Sequence, residues 1–362
     1  MGIDAGFDTA PPLSKEREDE LDKHESHASR PTLAEPGQEA APNLRSDLFE
    51  VQQIPVKGRG LIALRDIAKG TRIIRESPLL IVRSMPQPAL EGSLAAKLKA
   101  LSKEQQRQFL SLHNNHPGQY AFSGIVKTNA LPCGSGSSTG GVYPTICLIN
   151  HSCLPNAHNN WNEEYEMETI HAIRPIQAGE EITIDYSKRG PSHARQQQLS
   201  KSFGFDCQCT VCNLPRQELK SSDARRLQLQ HLDEKIGDPT QMMSRPGASL
   251  ADCRSLVKLL EEEYGEAPAP DTARLYYDAF QISGAHSDRA RASAFAERAY
   301  RARIICEGED SPLTQRMKRF MENPASHRSF GCYSKKWRGS DKFSPSSLSA
   351  TEFEAWLWRR AN

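Results

Sequence analysis

No run of about 18 apolar residues occurs in the sequence, so nothing in it predicts a transmembrane helix. The first residues, MGIDAGFDTAPPLSKE, carry neither a basic start nor an apolar stretch, which argues against a secretory signal. Gly6 stands where an N-myristoylation pattern wants Ser or Thr, so that lipid anchor is not expected either. Aromatic residues are scarce, at 7%, and neither sign of charge is in marked excess, with 46 Lys and Arg against 45 Asp and Glu. A net charge of +1 gives no whole-molecule pull toward nucleic acid or a membrane surface. Nine cysteines in 362 residues, without a signal, read as intracellular thiols or metal ligands rather than a disulfide framework.

What is present falls into blocks. Residues 1–46 are rich in Ala, Pro, Glu and Ser with almost no aliphatic periodicity, which predicts a disordered arm. From Leu48 the texture changes. FEVQQIPV and GRGLIAL read as strands joined by a turn at Lys57-Gly58-Arg59-Gly60, and TRIIRESPLLIV continues the β character over 71–82. Leu90, Leu94, Leu98, Leu101 and Phe109 then recur at helical spacing, predicting a helical insert over about 86–116. CGSGSSTGG (133–141) reads as a flexible loop, and strands return at EMETIHAI and EITIDYS around the turn QAGE. Past Pro215 the spacing predicts helices near 222–236, 249–264, 271–284, 288–307 and 312–322, with Asp271 as an N-cap. Small residues at Ala290, Ala292, Ala294, Ala296 and Ala299 would let these helices approach closely, as stacked pairs resembling tetratricopeptide repeats would, without a clean repeat signature. A Ser-rich basic tail (323–362) ends in a short amphipathic helix, FEAWLWRRAN.

Two short stretches carry metal-capable and hydrogen-bonding groups at high density. ICLINHSCLPNAH sets Asn150, His151 and Cys153 directly after an apolar run. FGFDCQCTVCNLP holds Cys207, Cys209 and Cys212, three thiolates spaced to wrap one face of a tetrahedral zinc. A closed site wants a fourth ligand, for which His231, Cys253 and Cys153 are the candidates. Taken alone, Gly58-Arg59-Gly60 is an ordinary hairpin turn and Tyr186 an ordinary strand aromatic.

The order of the motifs is more telling than any one of them. Gly58-Arg59-Gly60, then Asn150-His151-Ser152-Cys153 with Pro155-Asn156, then GEEITIDY ending at Tyr186, then Cys207-x-Cys209-x-x-Cys212, resembles the SET domain of protein lysine methyltransferases. The likeness is greatest to the SMYD-like branch and its fungal relatives, although the MYND zinc finger of that branch is missing. It implies an α+β fold: a SET-type β-clip of small sheets over 47–215, a cysteine-rich zinc clip at 203–215, and a C-terminal α-helical region over 216–322.

The resemblance also implies chemistry. The cofactor would be S-adenosylmethionine, held by Gly58, Arg59, Gly60, Asn129, Asn150, the backbone of His151, and Phe205. Tyr186 would be the catalytic residue, orienting methyl and amine, and Phe203 would line the lysine channel with it. Cys153 would complete a structural zinc centre with Cys207, Cys209 and Cys212, so that one segment serves two sites. Asn156 would order that segment, while Glu180 and Glu181 read as caps of a solvated turn. The expected partner is a protein bearing a target lysine, a histone tail or another protein, met by a monomer in nucleus or cytoplasm. Neither sequence-specific nucleic-acid binding nor a membrane is expected. The reading from a different class is a SET-fold scaffold that binds partners through its helical region without turnover.

Overall fold

The computed structural model describes residues 46–118, 120–187, 189–266, 268–339 and 345–359. Apart from Ser46, the arm expected over 1–46 lies outside these residues. The fold is α+β, in two compact units. The first ends at Arg189 and resumes over His193–Asn213; the second takes Gly190–Ser192 and the chain from Leu214.

Among the described residues, ten strands make three small sheets in the first unit. β1 (Phe49–Ile54), β2 (Gly58–Ala63), β10 (Glu181–Ile184) and β7 (Asn150–His151) are neighbours in that order in one sheet. β3 (Arg72–Glu76), β9 (Met167–Ala172) and β8 (Ala157–Asn162) form the second, and β4 (Leu80–Arg83), β6 (Thr139–Val142) and β5 (Leu131–Pro132) the third. β7 lies parallel to β10, with Asn150 opposite Thr183 and His151 opposite Ile184; β2 lies antiparallel on the other edge of β10.

Local chemistry explains where these strands depart from expectation. The first hairpin turns at Pro55–Lys57, not at Lys57–Gly60. Pro55 fixes its own φ, the Lys57 N–H closes on the Ile54 carbonyl at 3.1 Å, and Gly58 is already paired with Ile54. The glycine pair is therefore free to run as strand. TRIIRESPLLIV breaks at Pro78, which has no N–H to donate, into β3 and β4 of different sheets. Residues 133–141 are not loop throughout: Thr139–Val142 is the central strand of the third sheet. A Cβ at Gly141 would run into the Tyr143 ring, so glycine here serves close packing rather than flexibility.

The insert contains helices Gln87–Ala100, Lys103–Leu110 and Ala121–Asn129. Leu90, Leu94 and Leu98 are buried as their spacing predicts, and Ser102 and Gln105 close a capping box on the second helix. The third helix carries the insert past residue 116, so Asn129 ends a helix rather than sitting in a loop. A further helix, Ser192–Phe203, is too polar to be anticipated and buries only Arg195 and Leu199.

All five helices expected in the second unit occur, as Arg216–Ile236, Pro246–Tyr264, Ala269–Ala285, Arg289–Glu307 and Pro312–Glu322, with a short sixth at Pro239–Ser244. Pro246–Tyr264 and Ala269–Ala285 start earlier than expected because proline sits in the first turn, where its missing N–H has no helical partner to lose. Asp271 is not the N-cap, which is Pro268; it sits in the first turn, where a carboxylate still complements the helix dipole. The five alanines of Arg289–Glu307 singled out above are all buried. The terminal helix Ala350–Leu357 leads to Trp358, whose ring centroid lies 4.9 Å from that of Phe295. Among the described residues, no helix is long and apolar enough to cross a membrane.

Candidate functional site

Strand β7 is two residues long, and its position is over-determined. The Asn156 amide donates to the Glu181 carbonyl at 2.8 Å and to the Glu180 carboxylate at 3.0 Å, while its oxygen accepts the Thr183 N–H at 2.8 Å. Asn156 thus ties the end of the segment to β10. At the other end, Asn150 Nδ2 donates to the Arg59 carbonyl at 3.1 Å and to Glu181 Oε1 at 2.9 Å. Both amide protons are directed at protein, so the atom Asn150 presents for recognition is Oδ1, an acceptor. Glu181 also receives Lys57 Nζ at 2.6 Å. It is therefore part of the site and not a cap on a solvated turn.

Gly60 lies against this amide. A Cβ there would come within 2.7 Å of Asn150 Nδ2 and collide with Ile54. A Cβ at Gly58, with φ +77°, would meet nothing within 4 Å, so open space adjoins the backbone at the start of β2. The Arg59 guanidinium turns away to the carbonyl and hydroxyl of Ser111. Asn129 donates to the carbonyls of His113 and Ile125, each at 2.7 Å, and its own carbonyl accepts the Cys147 thiol at 3.2 Å. Among the described residues, no hydrogen bond joins Asn129 to Asn150, His151 or the glycine pair.

Tyr186 follows β10 by two residues, and its hydroxyl donates to the Ile149 carbonyl, immediately ahead of Asn150. Burial pushes its phenol well above the usual range, reinforced by the nearby Cys147 thiol and Glu181, so it remains a protonated donor and not a base. Its ring centroid lies 4.8 Å from Phe203 and 5.4 Å from His151, and Phe205 lies 6.1 Å from His151. These four rings thus form one cluster.

His151 is buried, which pulls its pKa down despite the attraction of Asp185. Its Nδ1 accepts the Tyr186 backbone N–H at 2.9 Å. That contact places the remaining proton on Nε2, which faces Cys153 Sγ at 3.3 Å.

Cys153, Cys207, Cys209 and Cys212 place their sulfurs within 4.8 Å of one another. The Cys153 sulfur stands 3.9 Å from that of Cys207 and 3.7 Å from that of Cys212. Zinc–sulfur bonds of about 2.3 Å give tetrahedral edges of about 3.8 Å, so the donor set fits zinc. No pair is at disulfide distance. Crowding also divides the thiols: Cys209 is held low by hydrogen bonds from Cys153, Cys207 and Cys212, while Cys153 is forced up. A dication relieves that conflict by favouring all four thiolates. Cys253, one alternative fourth ligand, lies in the hydrophobic core of the helical unit.

The SET domain family model matches residues 58–187. The histone-lysine N-methyltransferase set5 of Schizosaccharomyces pombe is 35% identical over 285 residues, 78% of this chain and 86% of that one. This chain belongs to the SET-domain family of protein-lysine methyltransferases. Shorter matches include the histone-lysine N-methyltransferases SET5 of Saccharomyces cerevisiae, 40% identical over 24% of this chain and 18% of that one, and human SMYD3, 35% identical over 25% and 22%. SET methyltransferases take their methyl group from S-adenosylmethionine, and in this SET enzyme the four-cysteine cluster could bind zinc.

Two residues of this SET-domain methyltransferase were not legible as site residues. Glu181 hides in a Gly-Glu-Glu turn, although as the first residue of β10 it shares a strand face with Thr183. Arg195 sits on a polar helix, and only its spacing of four from Leu199 marks a buried face.

Proposed function

We propose that this enzyme transfers a methyl group from S-adenosylmethionine to the ε-amine of a lysine in a protein, with histone tails the first substrate class to test. The observation that carries the residue assignment is the convergence of Tyr186, Ile149, Asn150 and His151 at the junction of β10 and β7. When bound, S-adenosylmethionine would supply an electrophilic methyl on a sulfonium.

The chain's own residues would do the following. Gly58 gives open backbone at the start of β2, Gly60 leaves room for the Asn150 amide beside it, and Asn150 Oδ1 accepts from a donor such as an ammonium. The Phe203 and Tyr186 rings would strip water from the lysine, which lowers the amine's affinity for its proton so that it is released to bulk solvent before attack. With its proton committed to the Ile149 carbonyl, the Tyr186 hydroxyl turns its lone pairs toward the reacting atoms and orients them. Cys153, Cys207, Cys209 and Cys212 would hold a structural zinc with no open position for water. Arg59 and Asn129 would shape the pocket through the insert, and Phe205 would pack beside His151. We assign catalysis to 47–215 as a monomer, and the helical region 216–322 to substrate recruitment, in nucleus or cytoplasm and without sequence-specific nucleic-acid binding.

The test combines calorimetry of S-adenosylmethionine binding with methyl transfer to core histones. Wild type should bind in the micromolar range and Asn150→Ala should not. Tyr186→Phe should bind but turn over slower by about 10²-fold or more. Binding that survives in Asn150→Ala, or full activity in Tyr186→Phe, would remove the assignment.

A further inference from the structure

Arg195 is among the largest fully buried side chains of the protein, and it sits against the sulfur cluster. Its Nε donates to Cys153 Sγ at 3.2 Å and its Nη2 to Cys212 Sγ at 3.6 Å. The helix that carries it, Ser192–Phe203, runs directly into the segment bearing Cys207, Cys209 and Cys212. On the same helix, Gln196 holds the backbone of Cys207 at both ends, accepting its N–H at 2.8 Å and donating to its carbonyl at 2.7 Å.

Four thiolates around one zinc leave a net double negative charge. Two of these cysteines, Cys153 and Cys207, are buried. A buried charge of that size is costly unless a cation and hydrogen bonds meet it. Arg195 supplies both, because its planar fork reaches two sulfurs at once and its charge is permanent.

We infer that Arg195 is a positioning residue for the metal centre, a cation that offsets half of the net charge of the zinc–thiolate cluster and sets how tightly the metal is held. This rests on the reading of the four cysteines as a zinc site. It also gives the polar helix a purpose: Gln196 fixes the Cys207 backbone while Arg195 balances the sulfurs. Partners of this kind around a metal centre typically change affinity by about 10–100-fold.

The test uses the full chain loaded with zinc, and separately with cobalt(II). Zinc transfer to 4-(2-pyridylazo)resorcinol should be at least about tenfold faster in Arg195→Gln than in wild type. The thiolate-to-cobalt charge-transfer bands should move in Arg195→Gln and, to a smaller extent, in Arg195→Lys, which keeps the charge but loses the fork. Leu199→Ala, which loosens the same helix without touching sulfur, should leave the bands in place. Wild-type release and bands in Arg195→Gln would overturn the inference, as would equal band shifts in Leu199→Ala. If Arg195→Gln yields no folded protein, Arg195→Lys decides: displaced bands support the role and unmoved bands refute it. A wild-type protein that takes up neither metal would instead remove the zinc site itself.

Discussion

Nδ1 of His151 accepts the backbone N–H of Tyr186 at 2.9 Å. Nε2 of the same ring meets Cys153 Sγ at 3.3 Å, so one imidazole spans from a proposed metal ligand to the residue proposed for catalysis. The ring needs to be neutral to do this, and burial keeps it so. His151→Phe keeps an aromatic ring and loses both contacts. Single-turnover methylation should slow by about 10²-fold, the scale of a misplacement near 1 Å. A wild-type rate would show that Tyr186 is held without the imidazole.

Gly60 separates Ile54 from the Asn150 amide. In Gly60→Ala the added methyl should displace that amide, its neighbour at 2.7 Å, and weaken S-adenosylmethionine binding by about tenfold, or 1.4 kcal/mol. Calorimetry checks this; unchanged affinity would mean that Ile54 alone gives way.

Phe203 faces Tyr186 with no hydroxyl of its own. A tyrosine there could hold a water or the amine and restrict how many methyl groups a lysine receives. Phe203→Tyr should therefore shift products toward monomethyl-lysine, read by mass spectrometry of a peptide under multiple turnovers. Strict monomethylation by the wild type would contradict this account of the channel.

In the helical unit, His327 is packed among Tyr277, Phe280 and Phe320. Burial lowers its pKa to about 4, with Arg328 and Arg316 adding to the effect. The folded state thus resists a proton that the unfolded chain takes up near pH 6.5. Stability from this group is complete above pH 6.5 and is lost as pH falls toward 4, by roughly 3 kcal/mol in all. Urea titrations between pH 4.5 and 7.5 should show that slope, and His327→Gln should flatten it; an equal slope in the variant would place the acid sensitivity elsewhere.

Residues that announce their chemistry were readable from the sequence. Cys207, Cys209 and Cys212 have few roles at that spacing, and leucines four apart at 90, 94 and 98 have one obvious face. Residues whose meaning depends on a distant neighbour were not. Glu181 looks like turn chemistry until Lys57 and Asn150 arrive, and Arg195 looks solvated until two sulfurs surround it. Gly140 and Gly141 carry no strand propensity, and only pairing with Val82 and Ile81 makes them β.

The pairing of β2 with β10 has a temporal side. Lys57 and Glu181 are joined across 124 residues of chain. A ribosome adding residues in order delivers the glycine strand long before the strand that must lie beside it, and the last thiols later still. Contacts of such high sequence separation form slowly, and until they do the β2 edge is open. The pocket proposed for methyl transfer is thus among the last parts of the first unit to exist, and a chain stalled before residue 181 would expose a half-built sheet for chaperones to cover.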